Sequence, residues 1–125
     1  VEVASSLSGA VLPVQGMTVE AWVRPESFPL YGGFIGAFQD NTGYQKGWVL
    51  GNVLNHLSFG LASQGADDGN GVMTYLQDPS VAVAGQWYHV AGIYDGSLMK
   101  LVVNGVQVDK AITRLVFSSP VSACN

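Results

Sequence analysis

Two short polar segments of the sequence carry the oxygen atoms that a hard cation requires. Asp40 and Asn41 stand in one segment, and Asp67, Asp68 and Asn70 stand in the other. Ca²⁺ takes carboxylate, amide and loop carbonyl oxygens at flexible spacing, so the sequence predicts a calcium site between the two segments. The alternative is that Asp and Asn occur there because they favour turns. The second segment lacks the spaced oxygens and terminal Glu of an EF-hand loop.

Aromatic residues flank the first of these polar segments. Tyr31 precedes it, and Tyr44 and Trp48 follow it. Aromatic rings beside amide and carboxylate groups suit a sugar-binding surface, because a ring offers an apolar body next to polar partners. We therefore predict a ligand-binding site formed by Tyr31, Tyr44, Trp48 and Asn41. The alternative for each ring is ordinary burial in the core. Trp22 is a further aromatic residue on the polar face of its strand.

Groups that could perform catalysis are sparse. Glycoside hydrolysis requires two facing carboxylates, and the three glutamates form no such cluster: Glu2, Glu20 and Glu26. His89 and Asp95 could be combined with a serine, but no nucleophile spacing accompanies them. We interpret His89 as a structural strand residue and His56 as a solvated loop residue. The sequence therefore predicts a protein that is not an enzyme.

Composition narrows the class of protein further. The chain has 125 residues, enough for one domain with a single core, and its formal net charge is −4 with five Lys and Arg residues. A nucleic-acid surface needs a basic stripe, so we expect no nucleic-acid partner. No apolar run reaches the roughly 20 residues that span a bilayer, so we expect no membrane insertion. Cys124 has no second cysteine to pair with, which leaves a free thiol, a disulfide to another chain or a disulfide to a missing segment.

The segment 86–109 predicts three antiparallel strands joined by two tight turns. Residues 87–94 are apolar, aromatic or β-branched at nearly every position. Asp95-Gly96-Ser97 then supplies turn chemistry, and residues 99–103 alternate as a half-buried strand does. Asn104-Gly105 is the strongest short hairpin signal, because a type I′ turn needs positive φ at both central residues. Residues 106–109 resume the alternation.

Further short strands are predicted along the rest of the chain, separated by turn-forming residues. They cover residues 18–24, 32–38, 47–50, 57–62, 72–76 and 81–83, with 111–117 as an extension of the last strand. Residues 39–46 and 63–71 are predicted as turn or loop. Regular short strands without a helical period indicate an all-β protein, a two-sheet antiparallel β-sandwich. Its predicted core contains Val19, Ala21, Val23, Leu57, Phe59, Val90, Leu101 and Val103.

Two blocks of the sequence resemble one known family. Residues 87–96 read W-x-H-V-A-x-x-Y-D-G and residues 101–108 read L-x-V-N-G-x-x-V, while residues 17–25 read M-T-V-E-A-W-V-R-P. In this order they resemble laminin-G-like jelly-roll domains of the concanavalin A-like lectin-glucanase group. The resemblance implies a jelly-roll sandwich over residues 1–125, and loop Asp and Asn residues that bind Ca²⁺ at one rim. It says much less about activity, because the same fold carries lectins, adhesion modules, enzymes and spacers.

The resemblance also frames two expectations about function. The first is an extracellular or cell-surface binding or adhesion module that recognises a glycan or an extracellular protein through rim loops, with Ca²⁺ as the candidate cofactor. The second is a structural subunit of a fibre or array. The strands that close the family's domain after this region are not found in the sequence, so we expect the domain to be incomplete at its C-terminus. The gap could reflect truncation, or residues 1–9 or 111–117 could cover it, or a neighbouring chain could donate a strand.

Overall fold

The computed structural model of the chain describes residues 16–41, 44–62 and 73–112. These residues form strands connected by turns and loops, without a helix. In chain order the strands are β1 (Met17–Val23), β2 (Tyr31–Asn41), β3 (Tyr44–Val53), β4 (His56–Ala62), β5 (Thr74–Gln77), β6 (Tyr88–Tyr94), β7 (Leu98–Val103) and β8 (Val106–Ile112).

The strands make two four-stranded antiparallel sheets. Sheet I has the order β1-β6-β7-β8, and sheet II has the order β2-β3-β4-β5. In sheet I the register places Trp22 opposite His89 and Ala91 opposite Val102. In sheet II, Leu50 lies opposite Phe59. The predicted all-β, two-sheet antiparallel fold is confirmed.

The turns of sheet I follow the local chemistry of the sequence. The Asp95 carboxylate accepts hydrogen bonds from the N–H groups of Ser97 and Leu98, at 2.9 and 2.8 Å. These two bonds hold the pKa of Asp95 below its usual value, and the bond from Leu98 contributes most. Asn104 and Gly105 have φ of 50° and 80°, as a type I′ turn demands. The predicted three-stranded meander is confirmed.

The β2–β3 hairpin is longer than the sequence predicted. The turn expected over residues 39–46 is wrong for residues 39–41 and 44–46, which continue the two strands. Backbone pairing extends as far as Asn41 opposite Tyr44. The residue types misled the prediction, because a ladder of backbone hydrogen bonds can continue through residues that also suit a turn. Residues 42 and 43 lie outside the described residues.

Two other local predictions are also wrong. Residues 81–83 are a loop and not a strand: Ala82 is buried, and its N–H bonds the Asn55 carbonyl. His56 is not a solvated loop residue but the half-buried first residue of β4. Its Nδ1 lies 2.8 Å from the Asp78 carbonyl oxygen, so the ring anchors the 78–83 loop. The strand extension over 113–117 and Cys124 lie outside the described residues.

One hydrophobic core fills the space between the sheets. Leu57, Phe59, Val90 and Leu101 are fully buried, and Val103 is buried as well. The remaining predicted core residues are partly buried and pack against this cluster: Val19, Ala21 and Val23. The predicted core is therefore confirmed, with its centre on β4, β6 and β7 and its margin on β1.

A side-chain bond joins the two sheets at one edge of the sandwich. The Asp109 carboxylate on β8 accepts a hydrogen bond of 3.0 Å from the Gln77 N–H on β5. Both strands are the last of their sheets. The bond satisfies an edge N–H that would otherwise be available to a foreign strand, so this edge is protected within the chain.

Candidate functional site

The β2–β3 hairpin separates the residues that were predicted to act together. Tyr31 pairs with Val53 at one end of the hairpin, whereas Asn41 pairs with Tyr44 at the other. The ten residue steps between Tyr31 and Asn41 correspond to about 33 Å along a strand. Tyr44 and Asn41 are thus brought together in the backbone, and Tyr31 belongs to a different region of the sheet.

Trp48 occupies a position between these two ends. It lies in register with Ala37 and Leu61 and packs against the core, and its indole Nε1 is buried without a hydrogen-bond partner among the described residues. This placement corresponds to the burial alternative that the sequence left open. A ligand-binding role for Trp48 stays a prediction.

Only two of the five predicted calcium-binding residues lie among the described residues. Asp40 pairs with Gln45 beside the Asn41–Tyr44 pair, so both first-segment residues lie at the tip of the hairpin. Asp67, Asp68 and Asn70 lie outside the described residues. Within residues 16–41, 44–62 and 73–112, no group of three or more His, Cys, Asp or Glu residues is placed to hold a metal. The calcium site stays a prediction.

The outer face of sheet II carries several glycines, which are exposed on β2 (Gly33 and Gly36) and buried on β3 and β4 (Gly51 and Gly60). In an antiparallel sheet, residues directly opposite one another share a face. The row Leu50, Phe59 and Leu76 points into the core, so the rows on either side of it point outward. These outer rows consist of Gly33, Gly51, Ser58 and Gln77, and of Gly36, Val49, Gly60 and Tyr75. We call these two rows the glycine floor.

Two tyrosines stand at the glycine floor. A Cβ on Gly60 would lie 2.8 Å from Cε1 of Tyr75, which shows that the Tyr75 ring rests against this glycine. The Tyr31 and Tyr75 ring centroids are 5.8 Å apart with an interplanar angle of 34°. Tyr31 remains 63% exposed. The result is an aromatic shelf with one half-buried ring and one open ring, which we call the tyrosine shelf.

The outer face of sheet I carries a different constellation. Trp22 lies opposite His89, and their ring centroids are 5.2 Å apart. The His89 Nε2 is also 3.6 Å from a carboxylate oxygen of Glu20. Trp22 and Glu20 are two residues apart on β1 and therefore share a face. His89 thus touches both neighbours, and its backbone N–H donates to the Asn104 Oδ1 at 2.9 Å.

Three aspartates and the two histidines have structural contacts. Asp78, Asp95 and Asp109 each accept backbone hydrogen bonds. His89 lies near the start of β6 and Asp95 follows its other end, about 20 Å away along the strand. They cannot form one catalytic group. His89 is a strand residue, as predicted.

Sequence reasoning missed Tyr75 and the contacts of Trp22. Tyr75 carried a usable signal, since it alternates with the apolar Leu76 inside a predicted strand and so belongs to the outer face. Trp22 had been placed on the polar face, but its contact with His89 depends on the pairing of β1 with β6, residues that are distant in the chain. Local patterning does not specify such a partner.

A search of the described residues for a helix long and apolar enough to cross a membrane finds none.

Comparison with family models gives a match over nearly the whole chain. A laminin G-like model, described as the concanavalin A-like lectin/glucanases superfamily, matches residues 3–121. This range contains both sheets and every strand described above.

Two curated relatives are proteins named pappalysin-1. The mouse protein is 30% identical over 126 residues, covering 90% of this chain, and the human protein is 31% identical over 108 residues, covering 78%. The matched regions amount to only 8% and 6% of those relatives. The similarity therefore concerns one small part of each relative.

A solved structure shares the fold. It is a protein from Bacteroides ovatus described as carbohydrate-binding, with a TM-score of 0.60 and 17% sequence identity. The match covers 82% of this chain and 27% of that chain. At this level of identity the likeness concerns the fold.

Proposed function

Because the chain belongs to the concanavalin A-like lectin/glucanases superfamily, we propose that it is a non-catalytic module that binds a glycan at the tyrosine shelf. The Bacteroides ovatus protein of the same fold is described as carbohydrate-binding, which supports this ligand class. Asp78, Asp95 and Asp109 accept backbone hydrogen bonds, which favours binding over acid–base catalysis. The resemblance to laminin-G-like domains supports an extracellular or cell-surface location, and an extracellular protein is the second ligand class for the same surface.

The observation that carries the proposal is the open Tyr31 ring beside the part of the glycine floor on β2, where Gly33 and Gly36 are exposed. A sugar ring presents C–H groups that pack against the electron-rich face of an aromatic ring. Glycines leave room for a flat ligand to approach the backbone, whereas larger side chains would fill this space. Gln77 is exposed in the outer row with Gly33 and Ser58, and its amide can both donate to and accept from hydroxyl groups.

A glycan microarray probed with the labelled chain tests this function, followed by calorimetry with any glycan that binds. We expect Tyr31→Ala to weaken binding about tenfold, since exposed aromatic anchors often contribute more than 1 kcal/mol to an interface. Trp87→Ala is the matched control, because Trp87 is as exposed as Tyr31 but immediately precedes β6 of the other sheet. Equal loss in both variants, or an array without any bound glycan, would contradict the proposal.

The proposed calcium site uses Asp40 and Asn41 together with Asp67, Asp68 and Asn70. A cation that binds only the folded chain raises its melting temperature by mass action, with about 2.7 kcal/mol gained at a hundredfold excess over Kd. We expect millimolar Ca²⁺ to raise the Tm and Asp67→Asn to remove the rise. Mg²⁺ at the same concentration is the control, because it prefers a smaller octahedral site. An unchanged Tm in Ca²⁺ would remove calcium from the proposed function.

A second candidate function is a structural subunit that assembles through sheet edges. Strand β2 is the first strand of sheet II, and its Ile35 and Phe38 are each 44% exposed. A long edge strand with exposed apolar residues is a template for another strand. We expect light scattering to show concentration-dependent oligomers that Ile35→Lys reduces. A monomer at every concentration would exclude this candidate.

A further inference from the structure

Trp22 and Glu20 form a second polar and aromatic surface, on the opposite side of the sandwich from the tyrosine shelf. Trp22 is 68% exposed, and the Glu20 side chain is 66% exposed. Both project from the outer face of β1, two residues apart. A folded chain rarely needs an open tryptophan next to an open carboxylate for its own stability, since an exposed ion pair contributes little.

His89 holds this surface in place. Its side chain is only 27% exposed, and its ring lies 5.2 Å from that of Trp22 and 3.6 Å from the Glu20 carboxylate. The His89 N–H donates to the Asn104 side chain, and the Asn104 N–H donates back to the His89 carbonyl at 2.8 Å. The tight β7–β8 turn therefore fixes the residue that contacts both Trp22 and Glu20. Fixed side chains lose less conformational entropy when a ligand binds.

The chemistry of Trp22 and Glu20 favours a cationic ligand. The face of an indole ring attracts positive charge more strongly than other aromatic side chains do, and a carboxylate adds a direct counter-ion. The chain carries a formal charge of −4, which favours approach of a basic partner. Among the described residues, neither Arg24 nor Lys100 forms an ion pair with Glu20, although Lys100 is on the same outer face of the sheet as His89. Arg24 donates through Nε to the Gly85 carbonyl, and Lys100 lies opposite Ile93, four residues along β6 from His89.

We propose that Trp22 and Glu20 bind a lysine side chain of a basic protein segment, independently of the proposed glycan site. The ammonium group packs over the open face of the Trp22 ring and pairs with the Glu20 carboxylate. The exposed Trp87 lies two residues before His89 in the chain, immediately before β6 begins.

The test uses a peptide with three lysines separated by glycine and the same peptide with Nε-acetylated lysines. NMR follows the indole N–H signals of the three tryptophans. We expect the lysine peptide to shift the Trp22 signal and the acetylated peptide to leave it unchanged, because acetylation removes the charge. Trp22→Ala and Glu20→Gln should each weaken binding about two- to fivefold, as expected for exposed cation–π and ion pairs.

Controls separate this site from the glycan site. Tyr31→Ala should bind the lysine peptide as tightly as the unmodified chain does. Raised salt should weaken peptide binding by the unmodified chain more than peptide binding by Glu20→Gln. Thermal melting confirms that each variant is folded. The proposal is overturned if the unmodified chain does not bind the lysine peptide, if the acetylated peptide binds equally well, or if Tyr31→Ala causes the same loss as Trp22→Ala. A failed glycan array would leave these expectations unchanged.

Discussion

The outer faces of the two sheets differ although their architecture is the same. Sheet II carries glycines with a pair of tyrosines, and sheet I exposes Trp22 and Glu20 around His89. The inner faces are alike, since both contribute large apolar side chains to one core. Because side chains alternate between faces, each sheet can change its outer face without disturbing the core. The shared fold therefore permits two chemically distinct binding surfaces.

Substitutions on the inner faces have the largest expected effect, and they test whether the two sheets share one core. Phe59 on β4 and Leu101 on β7 are both fully buried in the shared core, one from each sheet. We expect Phe59→Ala and Leu101→Ala each to lower the free energy of unfolding by about 2–5 kcal/mol. Urea unfolding followed by tryptophan fluorescence and circular dichroism should show one transition in each variant. Two separate transitions would show that the sheets do not share one cooperative core.

A substitution of glycine on each face sharpens the comparison. A Cβ on Gly92 of β6 would collide with the Phe59 ring across the core, whereas a Cβ on Gly33 would meet only a Val49 methyl group at 3.3 Å. We expect Gly92→Ala to cost about 1–3 kcal/mol through overpacking, and Gly33→Ala to cost less. Denaturation midpoints measure both values.

The double variant identifies the cause of the Gly92 effect. In a Phe59→Leu background the colliding ring is gone, so adding Gly92→Ala should cost clearly less than it does in the unmodified chain. An equal cost in both backgrounds would mean that the strain arises in the backbone and not from the aromatic ring.

Local chemistry explains which parts of the fold could be predicted from the sequence. Asp95-Gly96-Ser97 and Asn104-Gly105 specify their turns by their own φ preferences and side-chain bonds, and the structure contains both turns. The length of the β2–β3 hairpin could not be predicted in this way. Its length depends on backbone pairing of Asp40 with Gln45 and Asn41 with Tyr44, and the residue types at these positions also suit a turn.

The candidate surfaces were less predictable than the fold because they depend on pairs distant in the chain. Tyr31 was predicted to bind a ligand together with Asn41, but its ring neighbour is Tyr75 and Asn41 lies at the other end of the hairpin. Trp22 was placed on a polar face, but its neighbour His89 comes 67 residues later in the chain. Period-2 alternation assigns a residue to a face; only the register of the sheet assigns its neighbours.

The smallest expected effect concerns the β6–β7 turn of sheet I. The N–H groups of Leu98 and Ser97 lower the pKa of the Asp95 carboxyl from its ordinary value of 3.8. A group whose pKa is lower in the folded state stabilises the fold above its unfolded pKa, and this contribution is lost as pH falls through the folded pKa. Asp95 is fully exposed, so solvent screening keeps the effect small.

We expect Asp95→Asn to reduce the Tm slightly near neutral pH. The difference in Tm from the unmodified chain should shrink as the pH falls below the ordinary pKa of the carboxyl group. A difference that stays constant or grows in acid would mean that Asp95 stabilises the turn without its charge.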